Sequence, residues 1–383
     1  KNRSEPSSQR TEKLLAGRQV SRNKHIIKAR DAQWTGANNL SALDASRNYR
    51  GSMNKTILVT GGAGYIGSHT AFELQERGYR VVILDNLSTG HRWAIRADEF
   101  IEGDIRDPML LTKIFERNPI DAVVHFAAKS VVSESVLNPL DYYDNNVVGA
   151  QRLIQAAIFA GVSKFIFSST AAVYGAANAE VIREDAGKSP INPYGHSKRM
   201  VELMLADAFK ANQLNSVSFR YFNAAGARPE AGLGEIHQPE THLIPNILLS
   251  CLKDKETAPL KVFGDDYPTS DGSCIRDYIH VKDLARAHAD AIAFLDAHPE
   301  AHTINLGTGK GYSVFDIIRA CEAVVGHKID YDIADRRAGD PPILVADASK
   351  ALSTLGWSTR QALPAMVEDA FKFLAEFDRT LSA

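Results

Sequence analysis

The sequence predicts an α/β protein with a doubly wound parallel sheet and a smaller α/β unit towards the carboxyl end. From Lys55 onward, short apolar runs rich in β-branched residues alternate with amphipathic helical stretches. The first run leads at once into a glycine-rich turn. Continuous apolar strands separated by helices are typical of a parallel sheet covered on both faces.

Five apolar runs are predicted to form the strands of this sheet. They are Thr56–Thr60, Arg80–Leu84, Asp121–Phe126, Lys164–Ser168 and Ser216–Phe222. The first helix is expected over Gly64–Arg77. After Gly226, Pro and Gly become frequent, and helices are expected near 241–252, 283–297, 313–325 and 362–376. We therefore expect a nucleotide-binding domain over 53–225 and a substrate-binding domain over 226–383.

The composition excludes several classes of protein. The chain has 383 residues, a net charge of −2 and 44% hydrophobic residues, which is an ordinary globular mixture. Nothing in it favours nucleic acid or an anionic membrane as a partner, and no apolar run approaches the ~18 residues of a membrane span. Cys251, Cys274 and Cys321 are too scattered for a disulfide framework or a zinc site. Free thiols predict a reducing, cytoplasmic location.

The first 52 residues differ from the rest of the chain. They contain 11 Lys or Arg against 4 Asp or Glu and show no apolar periodicity. We expect a disordered leader or tag over 1–52, with Met53 as the start of the folded protein. Because the segment is basic and contains serine, an organellar transit segment is the alternative.

The glycine-rich turn follows the first strand and contains Gly61, Gly64 and Gly67. Glycines at this spacing allow a tight turn, close approach of a pyrophosphate and close packing of helix on sheet. The next helix directs its free N–H groups at the same phosphate. The triplet alone is a weak signal, but between a strand and a helix it predicts a Rossmann-type dinucleotide site.

Two acidic positions extend this site. Asp85 ends the second strand, 18 residues after Gly67, where a carboxylate accepts hydrogen bonds from a ribose 2′-hydroxyl and repels a 2′-phosphate. This favours NAD over NADP as the cofactor, although Asp85-Asn86 could also be a simple turn. Asp104-Ile105, after the third strand, is placed to meet the adenine ring.

Three residues are candidates for the chemistry. Tyr194 and Lys198 are four residues apart, so on a helix they share one face. An ammonium beside a phenol is expected to lower the pKa of Tyr194 and make it a general acid or base near neutral pH. Thr170 follows the strand that ends at Ser168, at the sheet edge where ligands bind, although it could be an ordinary strand-terminal threonine.

These motifs together resemble the extended short-chain dehydrogenase/reductase family and, within it, the UDP-glucose 4-epimerases. The resemblance covers Met53 to about Asp378. The shared motifs are TGGAGYIGSH at 60–69, LDNLS at 84–88, EGDIRD at 102–107, HFAA at 125–128, ESVLNPLDYYDNNV at 134–147, PYGHSK at 193–198, RYFNAAGA at 220–227, RDYIHVKDLA at 276–285 and NLGTGKGYSV at 305–314. Together they are far more specific than the glycine turn alone.

The resemblance implies an isomerase with tightly bound NAD and a UDP-sugar substrate. Tyr194, assisted by Lys198 and Thr170, would remove the proton of the sugar 4-hydroxyl while a hydride passes from carbon 4 to the nicotinamide. The keto sugar would turn over and take the hydride back on its other face, without a metal. The family pattern also implies a homodimer formed through helices around 140–160 and 197–213.

The resemblance also assigns further contacts by motif. Residues that would bind the cofactor are Gly61, Gly64, Tyr65, Ile66, Gly67, Asp85, Asn86, Ser88, Asp104, Ile105, Phe126, Ala127, Ala128, Ser130, Asn145, Lys198 and Tyr221. Residues that would bind the sugar nucleotide are Thr170, Tyr194, Asn223, Leu243, Arg276, Arg337, Asp340 and Leu344. Arg276 and Arg337 would clamp the diphosphate, since a guanidinium fork matches phosphate geometry. A surface salt bridge of Arg276 with Asp277 or Asp283 is the alternative.

Two positions depart from the family pattern. Many epimerases have a lysine where Ser130 stands, and here Lys129 comes one position earlier. Leu344 occupies a position at which tyrosine accompanies plain hexoses and a small residue admits N-acetylated sugars. The leucine is intermediate in size, so UDP-N-acetylglucosamine and UDP-xylose remain alternative substrates.

Two rival functions share parts of the pattern. A nucleotide-sugar 4,6-dehydratase needs an acid and a base after the threonine, where this chain has Ala171-Ala172. A non-catalytic NAD-binding protein on the same fold would tend to lose the Tyr194–Lys198 pair. Both are therefore disfavoured against a 4-epimerase.

Overall fold

A computed structural model describes residues 55–176, 181–252, 259–337 and 340–382. The predicted leader over 1–52 lies outside these residues. In the described part of the chain the strands are β1 (Thr56–Thr60), β2 (Arg80–Asp85), β3 (Glu99–Glu102), β4 (Ile120–His125), β5 (Lys164–Ser168), β6 (Asn215–Tyr221), β7 (Asn223–Ala225), β8 (Leu260–Phe263), β9 (Ile275–His280), β10 (Ala301–Leu306), β11 (Gly311–Ser313), β12 (Tyr331–Ala334) and β13 (Ile343–Leu344).

The α-helices of the same part are α1 (Tyr65–Glu76), α2 (Pro108–Arg117), α3 (Val132–Leu137), α4 (Pro139–Tyr143), α5 (Gly149–Phe159), α6 (Pro193–Lys210), α7 (Leu243–Leu252), α8 (Val281–Ala297), α9 (Val314–Val325), α10 (Ser349–Leu355) and α11 (Leu363–Ser382). A π-helical turn over Asp144–Val148 joins α4 to α5. None of the helices described is long and apolar enough to cross a membrane.

The central sheet is parallel and has seven described strands, in the order β10-β6-β5-β4-β1-β2-β3. The predicted α/β fold with a Rossmann-type sheet is confirmed. All five predicted strands lie in this sheet and begin and end within one residue of the predicted bounds. The order reverses between β1 and β4, and in open sheets such a switch point is where ligands bind.

Alternating apolar residues cover both faces of the sheet. In β1, Ile57 and Val59 are buried on one face with α1 and α8, whereas Leu58 is buried on the other with α2, α5 and α6. This follows from the two-residue period of a strand. The strands are apolar throughout because helices cover both faces.

The large sheet and the helices that cover it include segments from both sides of the predicted domain boundary after residue 225. Strand β10 returns to pair with β6, and α8 packs on the same face as α1. The second part is built from β11-β9-β13, with β7 pairing β9, and from the β12-β8 pair. Its core lies among α7, α9 and α11. Because β7 directly follows β6, the chain passes from the large sheet into the second part at the carboxyl edge of the sheet.

Candidate active site

The glycine turn between β1 and α1 is tightly closed on its inner side. Gly61 has φ +73°, and a Cβ there would lie 2.5 Å from the Ala127 nitrogen. A Cβ on Gly67 would lie 2.1 Å from the Gly61 carbonyl oxygen. Gly64 caps α1 without a side-chain hydrogen bond, and a Cβ there would meet only the Gly61 oxygen at 3.3 Å. The backbone N–H groups at the start of α1 are therefore open to an anionic ligand.

Asp85 lies at the carboxyl end of β2 beside this turn and is 8% exposed. Its carboxylate accepts hydrogen bonds from the Ala63 nitrogen at 2.9 Å and from the Leu87 nitrogen at 2.8 Å. Burial raises the pKa of Asp85, while these two hydrogen bonds lower it. Each carboxylate oxygen retains acceptor capacity for a ribose hydroxyl. The carboxylate thus both closes the turn and presents acceptors to a ligand.

The residues after β3 form a charged corner. Arg106 donates to the Asp104 carboxylate at 2.7 and 2.9 Å, and Asn86 donates to it at 3.1 Å. The hydrogen bonds from Arg106, above all, lower the pKa of Asp104 to about 2. Ile105 is 4% exposed and packs in the core, where a Cβ on Gly149 would touch it. Since its side chain faces the core, an adenine contact at Ile105 would have to come from the main chain.

Of the remaining predicted cofactor residues, those after β4 contact the end of β1. Phe126 and Ala127 follow β4, and their nitrogens donate to the Thr60 oxygen at 2.8 and 3.0 Å. Partly buried positions are Gly64, Tyr65, Ile66, Phe126, Ala127, Ala128 and Asn145, and exposed positions are Asn86, Ser88 and Ser130. Asn145 lies in the π-helical turn, a feature often found at functional sites.

Lys129 does not take the place of a lysine at Ser130. Its ammonium binds the carboxylate of Asp141 and lies 3.8 Å from a carboxylate oxygen of Glu134. Its main chain is fixed by Asn146, which accepts from the Lys129 nitrogen at 2.8 Å and donates to the Lys129 oxygen at 2.9 Å. The side chain therefore points to acidic groups of α3 and α4, and Ser130 remains available to a ligand.

The three predicted catalytic residues meet at the carboxyl end of β5. The Asn192 side chain caps the amino terminus of α6 by accepting from the Gly195 nitrogen at 2.8 Å. On the first turns of α6, the Lys198 ammonium donates to the Ser168 carbonyl oxygen at 2.8 Å and lies 5.9 Å from the centre of the Tyr194 ring. The Thr170 hydroxyl hydrogen-bonds the Tyr194 phenol.

The expected effect of Lys198 on Tyr194 is wrong for this arrangement. Burial raises the pKa of Tyr194, and the opposing influence is the hydrogen bond from Thr170. Burial also lowers the pKa of Lys198 to about 7, because the charged form loses its hydration. Sequence spacing places the two groups together, but it does not show how completely both are buried.

Tyr221 lies beside this group at the end of β6. Its hydroxyl is hydrogen-bonded to the Ser168 hydroxyl, and burial raises its pKa. Ser168 thus contacts Tyr221 through its side chain and Lys198 through its carbonyl oxygen. The hydrogen bond between Ser168 and Tyr221 therefore joins the ends of β5 and β6, two residues before Thr170.

Arg276 and Asp340, both predicted to bind the sugar nucleotide, bind each other. The Arg276 guanidinium donates to the Asp340 carboxylate at 2.5 Å and to the Ile275 carbonyl oxygen at 2.8 Å. The alternative partners are engaged elsewhere, since Asp277 accepts from Thr308 and Asp283 accepts from Arg286. Arg276 is therefore not part of the surface salt bridge considered from the sequence.

The other residues predicted to bind the substrate lie on β7, α7 and β13 and in the stretch after β12. Leu344 on β13 is in register with Arg276 on β9 and packs, like Phe222, against the turn that follows Thr170. Arg337 is exposed, and its guanidinium lies 4.1 Å from the centre of the Phe263 ring. Asn223 begins β7 and Leu243 begins α7, and both are partly buried. The Asp340 nitrogen donates to the Arg337 carbonyl oxygen at 3.2 Å, but the Arg337 guanidinium is directed at Phe263 and not at the Arg276–Asp340 pair.

Sequence reasoning missed a buried ion pair under the catalytic turn. The Arg220 guanidinium on β6 donates to both carboxylate oxygens of Glu202 on α6, at 2.7 and 2.6 Å. Glu202 also accepts from the Ser169 hydroxyl at 2.6 Å, one residue before Thr170. The only signal in the sequence was an arginine inside an apolar strand, which indicates a buried partner without naming it.

Comparison with known proteins shows the family to which the chain belongs. Residues 57–307 match the NAD dependent epimerase/dehydratase family. A UDP-glucose 4-epimerase of Halalkalibacterium halodurans is 49% identical over 84% of this chain and 96% of its own length. One of Rhizobium meliloti is 45% identical over 84% and 97%.

Solved structures show the same likeness. The UDP-glucose 4-epimerase of Brucella ovis in complex with NAD is 45% identical and has a TM-score of 0.81 over 84% of this chain and 98% of that one. The enzyme of Stenotrophomonas maltophila with bound NAD and formylated UDP-arabinopyranose is 41% identical and has a TM-score of 0.82, over 85% and 99%. By sequence and by structure, this chain belongs to the NAD dependent epimerase/dehydratase family.

Proposed function

We propose that this chain is an isomerase that interconverts UDP-glucose and UDP-galactose with bound NAD. The observation that carries the proposal is the cluster of Thr170, Tyr194 and Lys198 at the carboxyl end of β5, beside the glycine turn. The relatives support the substrate, since those compared above are UDP-glucose 4-epimerases. A dehydratase would need proton-transferring groups after Thr170, and the chain has Ala171-Ala172 there.

The chain fits NAD at the glycine turn. Gly61 and Gly67 have no room for a Cβ, whereas the backbone around Gly64 is open, as a pyrophosphate requires. The carboxylate of Asp85 suits the adenosine ribose hydroxyls and opposes a 2′-phosphate. When bound, NAD supplies a hydride acceptor and donor for sugar carbon 4.

The residues of the site handle the proton that accompanies the hydride. The Tyr194 side chain, as the phenolate, takes the proton of the 4-hydroxyl and, as the phenol, returns it to the oxygen at carbon 4 of the other epimer, while the Thr170 hydroxyl orients both oxygens. Because the pKa of Lys198 is about 7, its protonated form is readily available near neutral pH. The Ser168 carbonyl oxygen holds that ammonium on the Tyr194 side of α6.

The sugar nucleotide is placed between the two parts of the chain. Arg276 serves the diphosphate with its planar fork, and Asp340 serves the ribose hydroxyls. In the structure these two groups satisfy each other at 2.5 Å, so substrate exchanges one set of hydrogen bonds for another. Arg337 would have to leave the Phe263 ring to join them.

Leu344 sets the size of the sugar that is accepted. It packs, like Phe222, against the turn after Thr170, the residue proposed to orient the reacting sugar hydroxyl. A leucine leaves more room than a tyrosine, so N-acetylated and pentose UDP-sugars are secondary substrates. In a comparison of UDP-galactose with UDP-N-acetylgalactosamine, Leu344→Tyr should lower turnover of the N-acetylated sugar selectively. Equal loss on both sugars would remove Leu344 from this role.

The chain is also proposed to act as a homodimer. Helices cover both predicted regions, as α4, the π-helical turn and α5 over 139–159, and as α6 over Pro193–Lys210. Large apolar side chains are exposed on these helices and on α3, namely Val136, Leu137, Leu140, Met200 and Leu203. Light scattering should give twice the chain mass for the wild type and one chain mass for Leu140→Asp combined with Leu203→Asp. A wild-type monomer would refute the dimer.

A cytoplasmic location is the remaining part of the proposal. It is supported by three unpaired cysteines, of which Cys321 is buried with its pKa raised to about 12. Fractionation of the native host should recover the protein with cytosolic markers. Recovery from another compartment would contradict it.

The proposed reaction is tested by following UDP-galactose in the presence of NAD by proton NMR of the anomeric signals. UDP-glucose should appear, and the same final ratio should be reached from UDP-glucose as the starting material. UDP-N-acetylgalactosamine and UDP-xylose in parallel tubes rank the substrates. If none of the sugars changes, the chain is an NAD-binding protein without this activity.

A further inference from the structure

Four potential metal ligands meet between β7 and α7, apart from the catalytic residues. They are Glu235, His237, Glu240 and His242. Their ligand atoms all lie within 4.8 Å of one another. No metal was expected from the scattered cysteines or from the reaction, and this short stretch carries no cysteine.

The spacing of the ligand atoms matches a small tetrahedral ion. Nδ1 of His242 lies 2.5 Å from a carboxylate oxygen of Glu235, and Nδ1 of His237 lies 3.2 Å from the same oxygen. The Glu240 oxygens lie 3.6 Å from Nδ1 of His237 and 3.7 Å from Nδ1 of His242. Zn–N and Zn–O bonds of about 2.0–2.1 Å give tetrahedral edges of about 3.3–3.4 Å. Three of the observed separations, 3.2, 3.6 and 3.7 Å, lie near that value, and the hydrogen bond between His242 and Glu235 at 2.5 Å would lengthen when an ion binds.

Two polar atoms inside the cluster have no hydrogen-bond partner. They are Oε2 of Glu240 and Nδ1 of His237, and both atoms are buried. The Glu240 side chain is only 6% exposed, and its other oxygen is already used by the Thr241 and His242 nitrogens at 2.8 Å. A buried carboxylate oxygen without a partner is costly, so it calls for a cation at this point.

We propose that Glu235, His237, Glu240 and His242 bind one Zn²⁺ ion as a structural site. Two imidazoles and two carboxylates suit Zn²⁺, whereas Ca²⁺ and Mg²⁺ prefer oxygen ligands alone. Four protein ligands complete a tetrahedron and leave no position for a substrate, which is typical of structural zinc. The site is independent of the function proposed above.

The competing occupant of the cluster is a proton on His237. Burial opposes its charge, but the neighbouring carboxylates of Glu235 and Glu240 raise the pKa of His237 to about 10. The same negative field attracts a divalent cation, which releases the proton on binding. The experiment below separates a metal from a proton.

The ion would fasten the segment that leads into α7. The His91 ring contacts the Ile236 carbonyl oxygen at 2.9 Å, inside the ligand stretch, and ties that stretch to the loop after β2. His242 immediately precedes Leu243, the first residue of α7 and a predicted substrate contact. On the other side, Glu235 and Glu240 lie close enough to Tyr65 of the glycine turn to raise its pKa, after burial. Zinc would thus hold a segment that touches both halves of the active site.

The test measures zinc in the full chain, purified without a histidine tag. The protein is treated with EDTA, dialysed, loaded with ZnCl₂, dialysed again and analysed by plasma mass spectrometry. We expect one Zn²⁺ per chain and a higher Tm with zinc. Co²⁺ in its place should give the strong visible absorption of a tetrahedral site. No retained zinc, or the weak spectrum of octahedral Co²⁺, would show that a proton and not a metal fills the cluster.

Two ligand variants and a matched control locate the site. His237→Asn and His242→Asn should each weaken zinc binding by at least about a hundredfold, since loss of even an outer partner costs about 10- to 100-fold. His327→Asn, at an exposed histidine outside the cluster, should bind like the wild type. Unchanged affinity in both ligand variants would overturn the assignment. If the variants do not fold, X-ray absorption of the wild-type zinc protein must show two nitrogen and two oxygen ligands from the chain, and any other set overturns it.

Discussion

The glycine turn after β1 differs from the region of β9 and β13 that carries Arg276 and Asp340, which we call the cleft wall. The two regions hold their charged groups in different ways. In the turn, the Asp85 carboxylate is fixed by two backbone N–H groups and has capacity left for a ligand. In the wall, Arg276 and Asp340 are satisfied by each other. The first arrangement is ready for a ligand that stays, and the second must open for one that comes and goes.

This difference fits an enzyme that keeps one ligand and exchanges another. A site that is built from backbone geometry loses little freedom when it binds, which favours tight retention. A site whose side chains pair in its absence must break that pair, which lowers net affinity and favours release. Substitutions in one region should therefore leave the ligand of the other region unaffected.

The largest effect is expected at Tyr194, the proposed catalytic acid and base. Tyr194→Phe removes the group proposed to transfer the proton and should lower kcat by about 10²- to 10⁴-fold, because general acid–base catalysis contributes that much. NAD content should stay at the wild-type level. Stopped assays with UDP-galactose and release of NAD from denatured protein give the two numbers. A variant that keeps most of its activity would show that another group is the base.

The second effect concerns the turn alone. Gly67→Ala places a Cβ 2.1 Å from the Gly61 oxygen, so the turn must shift. Overpacking of this kind costs about 1–3 kcal/mol, or about 5- to 150-fold in NAD affinity. Gly187→Ala is the matched control, since a Cβ there meets nothing within 4 Å. NAD titration by protein fluorescence should separate them, and equal affinities would mean that the turn does not hold the cofactor.

The third effect concerns the wall alone. Arg276→Lys keeps the charge and loses the planar fork, which should cost about 1–2 kcal/mol, or about tenfold in KM for the UDP-sugar. The NAD content should not change. Steady-state kinetics with UDP-galactose measure KM and kcat separately. A fall in NAD content with unchanged KM would show that Arg276 acts in NAD retention and not in binding of the sugar nucleotide.

The smallest effect per residue is expected on the pH dependence of folding stability, through histidines that are buried around the large sheet. Burial lowers the pKa of His69 and His125 from 6.5 to about 3 and that of His288 to about 4. The folded protein keeps them neutral while the unfolded chain takes up protons near pH 6.5, so stability must fall as the pH falls below that value. Between pH 7 and pH 6 the loss is about 0.7 kcal/mol for each histidine.

Urea denaturation at the two pH values measures this loss. His288→Phe, which stays among Phe126, Phe219 and Tyr221, should reduce the loss by the share of one histidine. His327→Asn, at an exposed position, should keep the wild-type difference. Stability that rises on acidification over this range would contradict the buried neutral state.

Local patterns in the sequence predicted the parts of the site that depend on spacing. The strand-turn-helix order placed Gly61, Gly64 and Gly67, and the four-residue interval placed Tyr194 and Lys198 together on α6. These features follow from periodicity within one or two elements. The same is true of the five strands predicted for the large sheet.

Contacts between distant segments could not be predicted in this way. Nothing local shows that Ala301–Leu306 returns to pair with β6, or that Arg220 meets Glu202. The pKa of Tyr194 depends on burial by several elements, so the prediction that this pKa is lowered was wrong. The side chain of Ile105 faces the core for the same reason, since α5 covers it from a distant part of the sequence.

The central claim is that the turn retains NAD while the wall exchanges the sugar nucleotide. The most direct test is to dialyse the protein exhaustively against buffer without cofactor and then add UDP-galactose alone. The account predicts many turnovers to UDP-glucose per chain, with NAD appearing in solution only after denaturation. Conversion that starts only when NAD is added, and stops when NAD is removed, would contradict it.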